Sequence, residues 1–141
     1  MPIRINDRTR SPKTVRAWIS RTAKNILSAL ACERAELSVA LVSDREMRRL
    51  NRLWRRKDRT TDVLAFVQEG PARNLLGDVV ISLPAARRQA RERGHSLQDE
   101  LAVLLIHGIL HLRGYDHEPG GRKARRMRRQ EAALWKVLQE R

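Results

Sequence analysis

Little in this chain can bridge, stack or span. It holds one cysteine, Cys32, in 141 residues, so no internal disulfide can form and no disulfide partner is expected, which fits a reducing cytosol. Cys32 itself reads as a small buried apolar residue of the first helix. The aromatics are three tryptophans, one tyrosine and one phenylalanine, too few for the base-stacking platform of an oligonucleotide-binding sheet. No apolar segment approaches the ~20 residues needed to cross a bilayer, and no secretory signal is visible. Residues 8 to 24 are Arg-rich enough to imitate a transit peptide. Ser11 followed by Pro12 reads better as an N-cap and a first-turn proline, with Val15, Trp18, Ile19, Thr22 and Ile26 on one helical face. There is no internal repeat, no low-complexity run and no linker, so one domain spanning 1–141 is expected.

Acidic residues are also scarce: 16 Asp+Glu stand against 30 Lys+Arg, giving a formal charge of +14 and a pI near 11.5. That balance points to a polyanionic partner, nucleic acid first. The excess is clustered in Arg45, Arg48, Arg49, Arg52, Arg55, Arg56, Lys57 and Arg59, and again in Arg122, Lys123, Arg125, Arg126, Arg128 and Arg129. Arginine dominates both clusters, and its planar fork suits bidentate phosphate contacts.

Histidine is sparse but concentrated. Three of the four histidines lie in His107-Gly-Ile-Leu-His111-Leu-Arg-Gly114-Tyr-Asp-His117. His107 and His111 are i and i+4 and share a helix face. Gly114 can take the left-handed conformation that ends a helix and lets the chain deliver His117 as a third ligand. Three imidazoles leave one position of a tetrahedral zinc open, which is the arrangement of a catalytic site. The spacing is that of the metzincin proteases, with one change: where they carry a glutamate base, this chain has Gly108. A peptidase reading therefore loses its base while the metal site stays intact. The bland alternative, histidines that merely hydrogen-bond in a core, is weighed against demanding ligand spacing.

The remaining pattern is coarse but consistent. A short edge strand covers Ile3 to Asn6, then a helix runs from about Pro12 to Cys32. Leu37 to Val42 alternates as a strand, and Ser43 caps a helix from Asp44 to about Trp54. Asp62 to Val67 and Asp78 to Ser82 read as strands that Asp62 and Asp78 begin. Pro84 opens a helix ending at Gly94, Ser96 and Asp99 resemble a capping box for the histidine helix, and a last amphipathic helix follows Gly121. His95 reads as an exposed turn residue, Trp18 and Trp135 as core anchors. The fold class expected is α+β: a small mixed sheet of about four strands with helices around it and the zinc site at the end of a central apolar helix.

These residues resemble the YbeY family of zinc-dependent endoribonucleases over nearly the whole chain. The likeness runs through Leu50-Asn51, Trp54-Arg55-Arg56-Lys57-Asp58, Thr61 to Phe66, Gly77 to Ser82, Glu100-Leu101 and the histidine motif. Trp54 stands where the family usually has tyrosine, Arg56 where it commonly has glycine, and Ala65 where it commonly has serine. The resemblance implies a single-strand-specific endoribonuclease in ribosomal RNA processing, including maturation of the 16S 3′ end, and in ribosome quality control. It implies one zinc per chain on His107, His111 and His117, and Arg55 as the functional arginine of the cleft. Its partners would be single-stranded ribosomal RNA and the ribosome or 30S subunit, in the cytoplasm. Arg52, Arg56, Lys57 and Arg59 are candidate phosphate contacts. Asp116 would either orient a ligand histidine or cap the turn after Gly114. Two other classes compete: a non-catalytic RNA-binding assembly factor with structural zinc, and a metallohydrolase of a peptide or amide bond.

Overall fold

Alternation along the strands decides which side of the sheet each residue takes. The computed structural model describes residues 3–68, 75–115 and 121–140. Its order is β1 (Ile3–Asp7), α1 (Lys13–Ala29), β2 (Glu36–Val42), α2 (Asp44–Arg55), β3 (Val63–Val67), β4 (Leu75–Ser82), α3 (Leu83–Arg93), α4 (Leu97–Leu112) and α5 (Arg122–Gln139). Among the described residues the strands form one sheet in the order β1-β2-β4-β3. β1, β2 and β4 run parallel, and β3 joins β4 antiparallel at an edge. The expected mixed α+β architecture is what the chain adopts.

Each strand buries one set of side chains under α1 and α4. Ile3, Leu37, Val39, Leu41, Val79 and Ile81 join Ile19, Ile26, Leu105 and Ile109 in the main core. Residues one step out of phase, Val42, Leu64 and Val80, form a smaller cluster with Met47 of α2 on the opposite face. α2 therefore lies across the sheet from the histidine helix, and residues at its C-terminal end, Asn51 and Arg55, line one cleft with His107 and His111.

Capping fixes where these helices begin and end. Ser43 accepts a hydrogen bond from the Glu46 N–H and Ser96 one from the Asp99 N–H, as N-caps do. Asp44, in the first turn of α2, is held by Arg88 at 2.8 Å and by the buried Ser82 hydroxyl at 2.8 Å. The Arg88 hydrogen bond, then the Ser82 one, keeps the Asp44 carboxyl below its ordinary value. A depressed carboxyl contributes stability that is present above its unfolded value of 3.8 and lost as pH falls through the folded value. Arg88→Ala is therefore expected to lower the urea midpoint at pH 7. The gap to the parent protein should narrow as pH falls below 3.8 and through the lower folded value of the Asp44 carboxyl.

Four local expectations are corrected. Ser11 does not cap α1: its N–H and hydroxyl engage Asp7, and Pro12 occupies the cap position with no side-chain bond. Cys32 lies past the end of α1, half-buried, with its thiol 3.3 Å from the Leu30 carbonyl. Asp78 does not start a strand, because β4 begins at Leu75 and Asp78 pairs mid-strand with Ser38 and Phe66. His95 is not an exposed turn residue: its Nε2 lies 2.7 Å from Glu100, a carboxylate with no solvent exposure that Arg93 also grips at 3.1 Å.

Candidate metal centre and phosphate cleft

α4 carries the histidines, and its position over the sheet depends on a glycine. A Cβ on Gly108 would come within 2.7 and 3.0 Å of the two Val79 methyls, with Val63 at 3.5 Å. The missing side chain lets the helix settle onto β3 and β4, which brings His107 and His111 down to the sheet edge. Gly108→Ala is expected to destabilise the fold by about 1–2 kcal/mol, since overpacking a strand methyl outweighs the gain in helix propensity. Gly108→Glu, which would restore the protease base, should cost considerably more and create no peptidase. Chemical denaturation of both variants checks this.

Beyond His111 the helix ends as its sequence suggests. Gly114 takes φ +91°, its N–H reaches the His111 carbonyl, and the Tyr115 N–H reaches Leu110 at 3.0 Å. This is the paired C-terminal bonding of a Schellman motif. Asp116 and His117 lie outside the described residues. Among the described residues no three His, Cys, Asp or Glu side chains come together to hold a metal; His107 and His111 do come together.

The two imidazoles stand edge to face, with centroids 4.6 Å apart and Nε2 atoms 3.2 Å apart. Two nitrogens bound at ~2.0–2.1 Å to one tetrahedral ion sit roughly 3.3 Å apart, so the spacing of the pair is compatible with a shared zinc. The other face of His107 meets α5: its Nδ1 lies 3.4 Å from Glu131 Oε2. Sequence reasoning missed Glu131. The signal was there, as it is the one carboxylate in a helix that otherwise carries arginine and lysine.

Facing the histidines is the end of α2. A cleft of about 400 Å³ is lined by His107, Gly108 and His111 on one side and by Asn51, Arg55, Lys57 and Arg59 on the other. Buried Asn51 shapes this wall, donating its side-chain amide to the Arg59 carbonyl at 2.8 Å while its backbone carbonyl accepts from the Lys57 N–H. Arg55 donates to the Ala65 carbonyl at 2.7 Å and lies 5.4 Å over the Phe66 ring. Those two contacts hold a long side chain at the cleft mouth, and a guanidinium has further donors to offer. Among the described residues no carboxylate lines the cleft.

The other arginines are placed differently. Arg56 caps α2 in the left-handed conformation at φ 57°, a position that costs an L-residue roughly 1–2 kcal/mol and suits glycine. Arg52 faces a separate groove with Arg45, Arg48 and Arg49, and stands 4.0 Å from Asp58. Neither lines the histidine cleft. Exposed Trp54 and the half-buried Phe66 border a larger hollow of about 900 Å³ on the α2 side of the sheet, which shares Arg55 and Ala65 with the cleft. No helix among the described residues is long and apolar enough to cross a membrane.

Comparison with known proteins places this geometry in context. A family model described as endoribonuclease YbeY matches residues 3–139. The endoribonuclease YbeY of Aquifex aeolicus is 50% identical over 112 residues, covering 78% of this chain and 75% of that protein. The one from Syntrophotalea carbinolica is 41% identical over 144 residues, covering 98% of this chain and 96% of its own. A solution structure of a Thermotoga maritima protein superposes with a TM-score of 0.68 at 29% identity, over 96% of this chain and 88% of that one.

Proposed function

The chain belongs to the YbeY family of endoribonucleases, and on that premise we propose that it cleaves single-stranded RNA at a zinc site. Its setting would be the cytoplasm, where it would act on ribosomal RNA in the ribosome or 30S subunit, including the 16S 3′ end, and serve ribosome quality control. The observation that carries the reading is the cleft itself, where two imidazoles face the cationic side chains of Arg55, Lys57 and Arg59. That basic wall attracts a phosphodiester, and Gly108 stands where the metzincin proteases carry their glutamate base.

Each residue then has a role. One zinc per chain, held by His107, His111 and His117, would supply Lewis acidity at the phosphate and lower the pKa of a water toward about 7. Arg55 donates to the phosphate oxygens on which charge develops, a role its tethering to Ala65 and Phe66 prepares. Lys57 and Arg59 hold neighbouring phosphates. Arg52 and Arg56, set away from the cleft, fit more distant ones. The exposed basic face of α5 extends the same field, so binding should weaken steeply with salt.

The test is cleavage of a labelled 16S 3′-end RNA fragment as a single strand, alongside the same sequence as a duplex and a labelled unstructured peptide. Only the single strand should be cut. Peptide hydrolysis, or equal cutting of the duplex, would contradict the reading, and binding without cutting would favour the assembly-factor alternative.

A further inference from the structure

An ionised carboxylate can only accept hydrogen bonds. The Glu131 contact at 3.4 Å therefore calls for a proton on His107 Nδ1. That leaves the lone pair on Nε2, the nitrogen that faces His111 Nε2 at 3.2 Å. The two contacts lie at opposite nitrogens of one ring, so the carboxylate sits behind the imidazole and the nitrogen facing His111 in front. Both side chains are about three-quarters covered, at 28% and 25% exposure, and the packing of α5 on α4 sets their approach.

We propose that Glu131 is the positioning residue of the metal site, holding His107 in the Nδ1–H tautomer so that its Nε2 points at the metal. Metal-binding histidines are commonly oriented this way, because a carboxylate on the distal N–H fixes the ring and raises its basicity. Glu131 is not placed to act as a base, since it meets Nδ1 and is not among the residues lining the cleft. The proposal rests on the zinc reading of that cleft.

The experiment measures zinc affinity by competition with a chromogenic chelator for the parent protein, Glu131→Ala, Glu131→Gln and His111→Ala. It adds thermal melting of each protein without metal and nitrogen-15 spectra of the metal-free histidine rings. Glu131→Ala should bind zinc about 10- to 100-fold more weakly, with unchanged metal-free melting and loss of the Nδ1–H tautomer at His107. Glu131→Gln should fall between, because its amide oxygen still accepts from Nδ1–H. Undiminished zinc affinity in Glu131→Ala would overturn the proposal alone, as would a weakening matched by a lower metal-free melting temperature. A parent protein that binds zinc no better than His111→Ala would overturn the zinc reading and the proposal together.

Discussion

Replacing His111 with alanine is expected to reduce RNA cleavage at least about 1000-fold while leaving the fold in place. His111 is partly exposed on the cleft side of α4 and stands outside the buried core. The cap at Gly114 uses its backbone carbonyl, which alanine keeps. What goes is one of the two facing Nε2 atoms, and with it one ligand of the proposed zinc. Metal charge stabilisation is worth several kcal/mol in a transition state, and each 1.4 kcal/mol is tenfold in rate. Single-turnover cleavage, zinc content and circular dichroism on one preparation check all three claims. A folded, zinc-poor variant that still cuts at the parent rate would contradict the account.

Arg55→Ala should be nearly as damaging, lowering kcat by about 100- to 1000-fold, the loss seen when a donor to developing charge is removed. The effect should fall on kcat more than on KM, because the donor matters most where charge grows. Arg55→Lys should rescue little. A lysine cannot keep the Ala65 bond and the Phe66 stacking while also presenting a planar fork to phosphate. Lys57→Ala and Arg59→Ala provide the contrast. Each should weaken binding and reduce the salt slope by about 0.7 for one lost phosphate contact on a single strand, with kcat little changed. If Arg55→Ala behaves like those two, Arg55 is one more phosphate contact.

The parts of this site readable from sequence are the local ones. His107 and His111 share a face because the helix period makes them do so, and Ser43, Ser96, Gly94 and Gly114 mark helix ends by their own backbone chemistry. The alternation of Leu37 to Val42 marked β2 for the same reason. What escaped was tertiary. Glu131 reaches His107 from 24 residues away, through a packing of α5 on α4 that no periodicity encodes. Gly108 read only as a missing base, whereas its packing role appears once Val79 is seen beneath it. His95 misled because a histidine next to a glycine reads as a turn, and the carboxylate it meets, Glu100, is buried, as glutamates seldom are. Arg56 carries strain that only its φ reveals, at a position where a family preference for glycine had been the sole hint.

The central claim is that one zinc, gripped by the histidine cleft, turns a basic RNA-binding surface into a nuclease. The most direct measurement is a zinc titration of the metal-stripped protein, following bound metal and single-strand cleavage together. The account predicts that activity rises from none and levels off at one zinc per chain, and that His111→Ala neither takes up that zinc nor gains activity. Full cleavage by the stripped protein, or activity unmoved by stoichiometric zinc, would contradict it.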